Sequence, residues 1–340
     1  MTTIATDAPR ATDETAAGGP WHSWISRESR ATWLPIIALF ILVGCFVAKS
    51  SAFLSPMNMV VMGAQGGPLL LISLGATFVI LMGSIDLSVG GVAALSAALS
   101  GVALHDAGVS HGLALAVAVV FGIVAGGFNA FLVTVLRLPS FIATLASGSI
   151  FNGIMLHVLG GMALSVADDD SFADIAGSQF IPLVPNVLFY AVIAWAVLTA
   201  AQYNTRFGRY TTAIGAGERV ALLTGLPVNR YKAAVFILSS TLASVGGFFL
   251  LSRLGSATPS IGDGYLLDSV AAIVVGGTAL TGGVGGIGRT ILGVALITIL
   301  SNGLNVCGVS SFTQEIVKGA VIILAVLTTI DRRTLLTVVK

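Results

Sequence analysis

The chain has 340 residues, of which 56% are apolar and only 9% are charged, and its formal net charge is +1. Soluble domains carry roughly 25% charged residues, so this composition excludes a water-covered globular protein and indicates a membrane protein. The small net charge gives no reason to expect a nucleic-acid partner. The two cysteines, Cys45 and Cys307, lie in or beside apolar runs, which favours inert core residues over a disulfide.

Residues 1–30 contain no apolar stretch before Pro20 and are predicted to form a disordered tail. The apolar run that follows lacks a signal-peptide cleavage pattern, so we interpret it as a retained helix. A helix needs about 20 apolar residues to cross a bilayer. The runs therefore predict an all-α polytopic membrane protein with about ten transmembrane helices: 33–49, 60–82, 88–104, 112–136, 140–160, 182–201, 233–252, 269–282, 289–305 and 313–330. The spans 88–104 and 269–282 are the weakest, and either could instead be a half-helix or a re-entrant segment.

The distribution of basic residues predicts the orientation, because cytoplasmic loops carry an excess of Lys and Arg. With both termini in the cytoplasm, only Lys49 and Arg253 fall outside and Lys318 falls within the last span. The predicted inner set is Arg10, Arg27, Arg30, Arg137, Arg206, Arg209, Arg219, Arg230, Lys232, Arg289, Arg332, Arg333 and Lys340. The predicted outer loops are acidic instead, through Asp106, Asp168, Asp169, Asp170, Asp174, Asp263 and Asp268.

Two loops stand out within the predicted permease domain, residues 31–331, which a short cytoplasmic tail at 332–340 follows. Residues 161–181 form an outer loop, and residues 202–232 form the longest inner loop. The inner loop is long enough for one or two short helices on the membrane surface. It could serve only to anchor the topology through its cations, or it could be the docking element for a cytoplasmic protein.

A glycine-rich stretch, Gly283 to Gly288, has the G-x-G-x-x-G spacing of dinucleotide sites. That motif needs a preceding strand and a following helix in a βαβ unit, whereas the flanks here are predicted membrane helices. We therefore predict a tight inner hairpin and no nucleotide site in this chain. No catalytic residues and no metal site are predicted either, since the histidines are scattered without ligand spacing.

Polar side chains at membrane depth are costly unless they face protein or a water-filled path. Thr298, Asn302 and Asn305 recur on one face of the ninth span, while Ser140, Thr144 and Ser147 form a stripe on the fifth. Asn129 lies in the inner part of the fourth span, below a ladder of small residues that predicts close helix packing: Ala118, Gly122 and Gly126. The amides and hydroxyls could hold helices together or line the path of a polar solute. As a set, they favour a lining.

An ion-coupled carrier usually needs acidic residues at membrane depth, and Asp86 and Glu315 are the candidates. Asp86 is predicted to lie in an inner turn where water can solvate it. Glu315 and Lys318, three residues apart near the outer end of the last span, could neutralise each other. This scarcity argues against ion coupling, so the energy for uphill transport would come from a partner.

Five stretches resemble the ribose/xylose/arabinose-type permease subunits of bacterial ATP-binding-cassette importers. They are the signature turn Ala76–Gly90, the segment Leu138–Leu145, the inner region Thr205–Gly225, the segment Leu267–Gly277, and the run from Ser301 to Gly319. The resemblance covers residues from about 56 to 331. Within the signature turn, the matching positions are Asp86, Ser88 and Gly90.

This resemblance implies a homodimeric permease in the bacterial inner membrane, which works with a cytoplasmic ATPase and an extracytoplasmic sugar-binding protein. It implies inward transport of a pentose or hexose, with ATP and Mg bound by the ATPase and no cofactor bound by this chain. The coupling residues carried over are Ala213, Gly215, Glu218, Thr224 and Gly225. Gly215→Arg or Glu218→Lys is then expected to uncouple ATP hydrolysis from transport in a folded subunit. The predicted translocation path comprises Asn129, Thr144, Ser147, Thr298, Asn302 and Asn305.

Two alternatives remain open. A permease for branched-chain amino acids would share this architecture, and a secondary carrier would transport without an ATPase. The sequence does not name the sugar.

Overall fold

The computed structural model describes residues 20–166 and 170–329. The predicted tail residues 1–19 and 332–340, together with Asp168 and Asp169, lie outside the described residues. In the described part, the chain forms thirteen α-helices: α1 (Pro20–Lys49), α2 (Pro56–Leu81), α3 (Val89–His105), α4 (His111–Thr134), α5 (Ser140–Leu159), α6 (Asp170–Gly177), α7 (Asn186–Asn204), α8 (Arg206–Ala216), α9 (Glu218–Leu223), α10 (Val228–Leu254), α11 (Tyr265–Val275), α12 (Ile287–Val306) and α13 (Ser311–Thr329).

The helical polytopic class is confirmed. Among the described residues, six helices are long and apolar enough to cross a membrane: α2, α4, α5, α7, α10 and α12. Shorter apolar helices are found at Pro35–Lys49, α3 and α11. Each predicted span overlaps one of the helices above. Helix α1 begins at Pro20, inside the segment predicted to be a disordered tail. The ten crossings and the orientation stay predictions.

Helix α11 is much shorter than the span predicted at 269–282. It ends at Val275, and its 11 residues make a helix about 16 Å long, roughly half the thickness of the hydrocarbon core. Gly276 and Gly277 follow it, and the latter has a left-handed φ of 87°. The half-helix alternative therefore describes this segment.

Helix α10 is the centre of the bundle and packs most extensively against α4, α2 and α3. The predicted small-residue ladder of α4 provides one of these contacts. A Cβ atom at Gly122 or Gly126 would collide with the α10 backbone at Thr241 and Ile237, respectively. The Ser244 hydroxyl donates a hydrogen bond of 2.5 Å to the Ala118 carbonyl. The ladder thus brings two helix backbones together, as the sequence predicts.

The loops close both ends of the bundle. At the predicted outer end, β1 (Leu164–Ser165) pairs antiparallel with β2 (Ser256–Ala257), and α6 packs against α10. At the other end, the non-helical segment 276–286 folds back between α11 and α12.

The glycine-rich stretch at Gly283–Gly288 is part of this hairpin. Gln202 at the end of α7 holds it, because its Oε1 accepts a hydrogen bond of 2.7 Å from the Ile287 amide. The Thr278 hydroxyl accepts another, of 3.1 Å, from the Gly286 amide. No strand precedes the stretch in this described segment, so the structural context of a dinucleotide site is missing there.

Candidate functional site

The signature turn between α2 and α3 is a buried polar junction. Asp86 is only 3% exposed, which contradicts the expectation that water solvates it. Its Oδ1 accepts hydrogen bonds from the Ser88 amide at 3.0 Å and the Ser88 hydroxyl at 2.6 Å. Its Oδ2 accepts a third from the Ser239 hydroxyl of α10 at 2.8 Å. Sequence reasoning missed Ser239, whose only signal is a pair of serines in an apolar run.

Asn129 extends this junction to two more helices. Its Nδ2 donates to the Ser88 hydroxyl at 2.8 Å, and its Oδ1 accepts from the Ser147 hydroxyl at 2.5 Å. Both polar atoms of the side-chain amide are therefore hydrogen-bonded, although the residue is fully buried. The contacts join the signature turn to α4 and α5.

Thr144 and Ser140 fix the turn from the α5 side. The Thr144 Oγ1 accepts a hydrogen bond of 2.9 Å from the Leu87 amide, and the Ser140 Oγ accepts one of 3.1 Å from the Ile85 amide. Gly90 lies in the first turn of α3, where a Cβ atom would sit 3.1 Å from the Gly262 carbonyl. We conclude that Asn129, Thr144 and Ser147 bind the helices together in this conformation. Their predicted role in lining a path stays a prediction.

A polar cavity of about 310 Å³ lies at the opposite end of the bundle, between α2, α10, α11, α12 and α13. It brings together two of the predicted path residues, Thr298 and Asn305. The complete lining is Gln65, Leu69, Arg253, Tyr265, Asp268, Ile297, Thr298, Ser301, Asn305, Ser311, Gln314 and Lys318.

Charged side chains meet at this cavity. The Lys318 Nζ lies 3.2 Å from Asp268 Oδ2 and 3.1 Å from Glu315 Oε1, so the predicted pairing of Glu315 with Lys318 is confirmed. Asp268, assigned to an outer loop from the sequence, instead lies in the first turn of α11. Arg253 Nη1 donates to the Ala64 carbonyl at 3.2 Å. Sequence reasoning did not predict this cluster, because the four charged residues belong to three separate helices.

Asn302, the third polar residue of the α12 stripe, does not line the cavity. Its amide exchanges two hydrogen bonds with the amide of Asn58 at the start of α2, at 2.9 and 3.1 Å. It is only 1% exposed. The pair therefore fastens α12 to α2, and Asn58 is a partner that the sequence pattern did not indicate.

The predicted coupling residues lie on and beside α8 and α9. Gly215 packs against the end of α2, where a Cβ atom would overlap the Leu81 carbonyl, and beside the amide of Gly283. That amide donates to the same Leu81 carbonyl at 2.8 Å. Gly215 thus joins α8 to α2 and to the glycine-rich hairpin.

The other four coupling residues are exposed: Ala213, Glu218, Thr224 and Gly225. Glu218 Oε1 lies 2.7 Å from Lys232 Nζ, which ties the start of α9 to α10. Beside them, α9 presents the exposed apolar side chains of Val220, Leu222 and Leu223, the last of which is 82% exposed. Sequence reasoning missed these three residues, although three apolar residues in a charged loop are a usable signal.

Comparison with known proteins identifies the family. The sequence profile of a family described as "Branched-chain amino acid transport system / permease component" matches residues 58–326. The ribose import permease protein of Bacillus subtilis (strain 168) is 41% identical over 299 residues, which span 88% of this chain and 92% of that protein. The ribose import permease protein of Escherichia coli (strain K12) is 36% identical over 295 residues, or 86% and 91% of the two chains.

The xylose transport system permease protein of Haemophilus influenzae is 29% identical in an alignment 354 positions long, which covers 86% of this chain and 94% of that protein. The chain therefore belongs to this family of transport-system permease components, and the resemblance to sugar-type permeases of ATP-binding-cassette transporters is confirmed. It is a multi-pass protein of the bacterial inner membrane, in keeping with its apolar helices.

Proposed function

We propose that this protein is the membrane-spanning subunit of an importer that moves a monosaccharide into the cell, driven by ATP hydrolysis on a separate cytoplasmic ATPase. The observation that carries the proposal is similarity along nearly the whole chain to permeases named for ribose and xylose. A sugar-binding protein delivers the solute to the outer face. ATP and Mg bind the ATPase, and this chain binds no cofactor.

The proposed topology places both termini in the cytoplasm, with ten membrane segments in a permease domain at residues 31–331. The proposal is supported by the basic character of the inner loop at residues 202–232. In this topology α11 and the hairpin at 276–286 together form one of the ten segments.

The ATPase docks on α8 and α9. Exposed apolar side chains are unusual on a water-facing loop and mark interaction surfaces, and Val220 and Leu223 lie beside the coupling residues Glu218 and Thr224. Gly215 connects this surface to the helix bundle, because it packs against the end of α2. We therefore expect movement of α8 to displace the signature turn that follows α2.

The permease works as a homodimer, and the outward face of α5 is the surface we assign to the second copy. Ser149, Asn152 and His157 are exposed on this face, and Asn152 is near the middle of the helix. The Asn152 side chain has no hydrogen-bond partner among the described residues. The helix also exposes apolar residues such as Ile150 and Ile154, as α4 and α7 do at Val124 and Val197. An amide without a hydrogen-bond partner costs free energy in lipid. Two copies of Asn152 that meet at a two-fold axis can instead hydrogen-bond to each other, because an amide both donates and accepts.

Reconstitution into vesicles with the ATPase and the binding protein tests the function. We expect ATP-dependent uptake of at least one of ribose, xylose, arabinose and galactose, with no uptake when the ATPase is omitted. Uptake that persists without the ATPase and is abolished by an ionophore would instead establish a secondary carrier.

A permease for branched-chain amino acids is the second candidate, because the family description names those solutes. Leucine uptake in the same vesicles, without uptake of any monosaccharide, would establish it.

A further inference from the structure

The cavity near the outer end of the bundle contains polar groups that the protein itself does not satisfy. Thr298 Oγ1 and Ser301 Oγ are buried without a hydrogen-bond partner among the described residues, and both residues line the cavity. Buried hydroxyls without partners are uncommon, because each costs free energy. Others occur at Ser73, Thr199 and Ser240, but those residues do not line this cavity. The two on α12 lie about one helical turn apart, in residues that line the same cavity.

The charged side chains of the cavity also retain hydrogen-bonding capacity. Lys318 has three donors and contacts two carboxylates, and Arg253 has five donors and is bonded to one carbonyl through Nη1. Asp268 uses only Oδ2 in its contact with Lys318. Donors and acceptors therefore remain available around the same volume, together with the hydroxyls of Thr298 and Ser301.

The chemistry of the lining defines the class of ligand. The lining holds two cations, Arg253 and Lys318, and one carboxylate, Asp268. Glu315 lies outside the lining and contacts Lys318, so the charges in and beside the site balance and give no strong attraction for an ion. Hydroxyl, amide and ionic groups suit a solute whose surface is covered with hydroxyls, since each hydroxyl both donates and accepts. Leu69 and Ile297 are the aliphatic members of the lining, which is too few to enclose a branched apolar side chain. The volume of about 310 Å³ limits the occupant to one small molecule.

We propose that this cavity binds one monosaccharide within each protomer, in the outer half of the bundle, before the sugar moves inward. This inference rests on the proposed function and adds a location to it. Asp268 and Lys318 bind adjacent hydroxyls of the sugar, while Thr298 and Ser301 bind it from α12. The side chain of Tyr265 contributes the aromatic part of the lining.

Binding to the purified full-length protein in lipid nanodiscs tests the proposal, with D-ribose, D-xylose and L-leucine as probes. Thr298→Val is the central variant, because it removes the hydroxyl while keeping the shape. We expect about tenfold weaker binding of the preferred sugar, the effect of one lost hydrogen bond. Thermal stability should stay the same or rise, because the variant removes an unsatisfied buried oxygen. Thr241→Val is the matched control: this hydroxyl is bonded to the Ile237 carbonyl and lies outside the cavity.

A second variant tests the same cavity from a different helix, so that the conclusion does not depend on one substitution. Asp268→Asn keeps the size of the side chain but weakens both its contact with Lys318 and its acceptor strength, and it should abolish detectable sugar binding. Asp106→Asn, at an exposed position, is the control and should bind normally.

The outcomes separate this proposal from the proposed function. Unchanged sugar affinity in both cavity variants, or no sugar binding by the unaltered permease, would show a hydrated cavity only and overturn the inference. ATP-driven sugar uptake by the complete transporter would still support the proposed function in that case. Absence of uptake of every monosaccharide by the complete transporter would instead overturn the proposed function.

Discussion

Asn129 shows how much one residue can contribute to the junction beneath the signature turn. Its amide donates to Ser88 and accepts from Ser147, so it connects three parts of the chain through two short hydrogen bonds. Such groups are costly when one partner is removed, because the remaining polar atoms stay buried. Asn129, which the sequence predicts to line a solute path, therefore has a structural role in this conformation.

Replacing Asn129 with Leu separates the two roles. We expect the change to lower the free energy of unfolding by about 2 kcal/mol, because it leaves Ser147 and Ser88 each without one hydrogen-bond partner in a buried position. Thermal unfolding of the purified protein in detergent measures the effect. Ser149→Ala, at an exposed position of α5, should be nearly neutral. A stable Asn129→Leu protein with impaired transport would favour a path-lining role instead.

Gly215 shows why a coupling position can be structurally restricted. The expectation that Gly215→Arg uncouples ATP hydrolysis in a folded subunit is contradicted by the structure, because any Cβ atom there overlaps the Leu81 carbonyl. We expect even Gly215→Ala to destabilise the protein by at least about 3 kcal/mol. Size-exclusion chromatography and thermal unfolding measure this loss. Gly217→Ala is the matched control, because a Cβ atom there would lie an ordinary 3.7 Å from Val220.

At the scale of the elements, long apolar runs predict helices well. The run that predicts the span at 60–82 becomes the helix Pro56–Leu81, because a membrane helix needs a fixed number of apolar residues and few charges. The same counting overestimates α11, since the apolar run continues past Val275, whereas the helix ends where Gly277 adopts a left-handed φ of 87°.

The candidate sites are less predictable, because their members come from distant parts of the sequence. Asp86 and Ser239 are 153 residues apart, and Lys318 and Asp268 are 50 apart. Periodicity within one helix identifies Thr298 and Asn305 as neighbours on one face, but it does not reveal what opposes them. The burial of Asp86 depends on α10 and α4, which no local pattern around the signature turn indicates.

Helix α9 is the element whose surface can be tested by itself. We expect Leu223→Asp to weaken association with the ATPase at least tenfold, because it introduces a charge into the apolar contact. The fold should be unaffected, since Leu223 is 82% exposed in the protomer. Co-purification of the ATPase with the tagged permease measures the association. Asn204→Asp, exposed at the end of α7, should retain the ATPase. Normal retention by Leu223→Asp would rule out α9 as the docking element.

At the scale of the whole molecule, the two ends of the protomer differ in chemistry. The signature turn and the glycine-rich hairpin meet α8 through tightly packed backbone, while the opposite end holds a polar cavity. Buried polar junctions and close glycine contacts have few alternative arrangements, so motion of α8 should pass to the bundle as displacement of whole helices. A homodimer would place a second copy of this arrangement beside the first.

The assignment of the α5 face to the dimer can be tested by cross-linking. In a two-fold dimer, a residue near the axis meets its own copy, so Asn152→Cys in a background carrying Cys45→Ser and Cys307→Ser should form a disulfide between protomers. Val124→Cys in the same background is the control, because Val124 is exposed on α4 in what we assign as a lipid-facing position. Non-reducing electrophoresis of membranes after mild oxidation measures both. A dimer band from Val124→Cys, and none from Asn152→Cys, would place the second copy against α4 and leave the exposed amide of α5 to face the solute path.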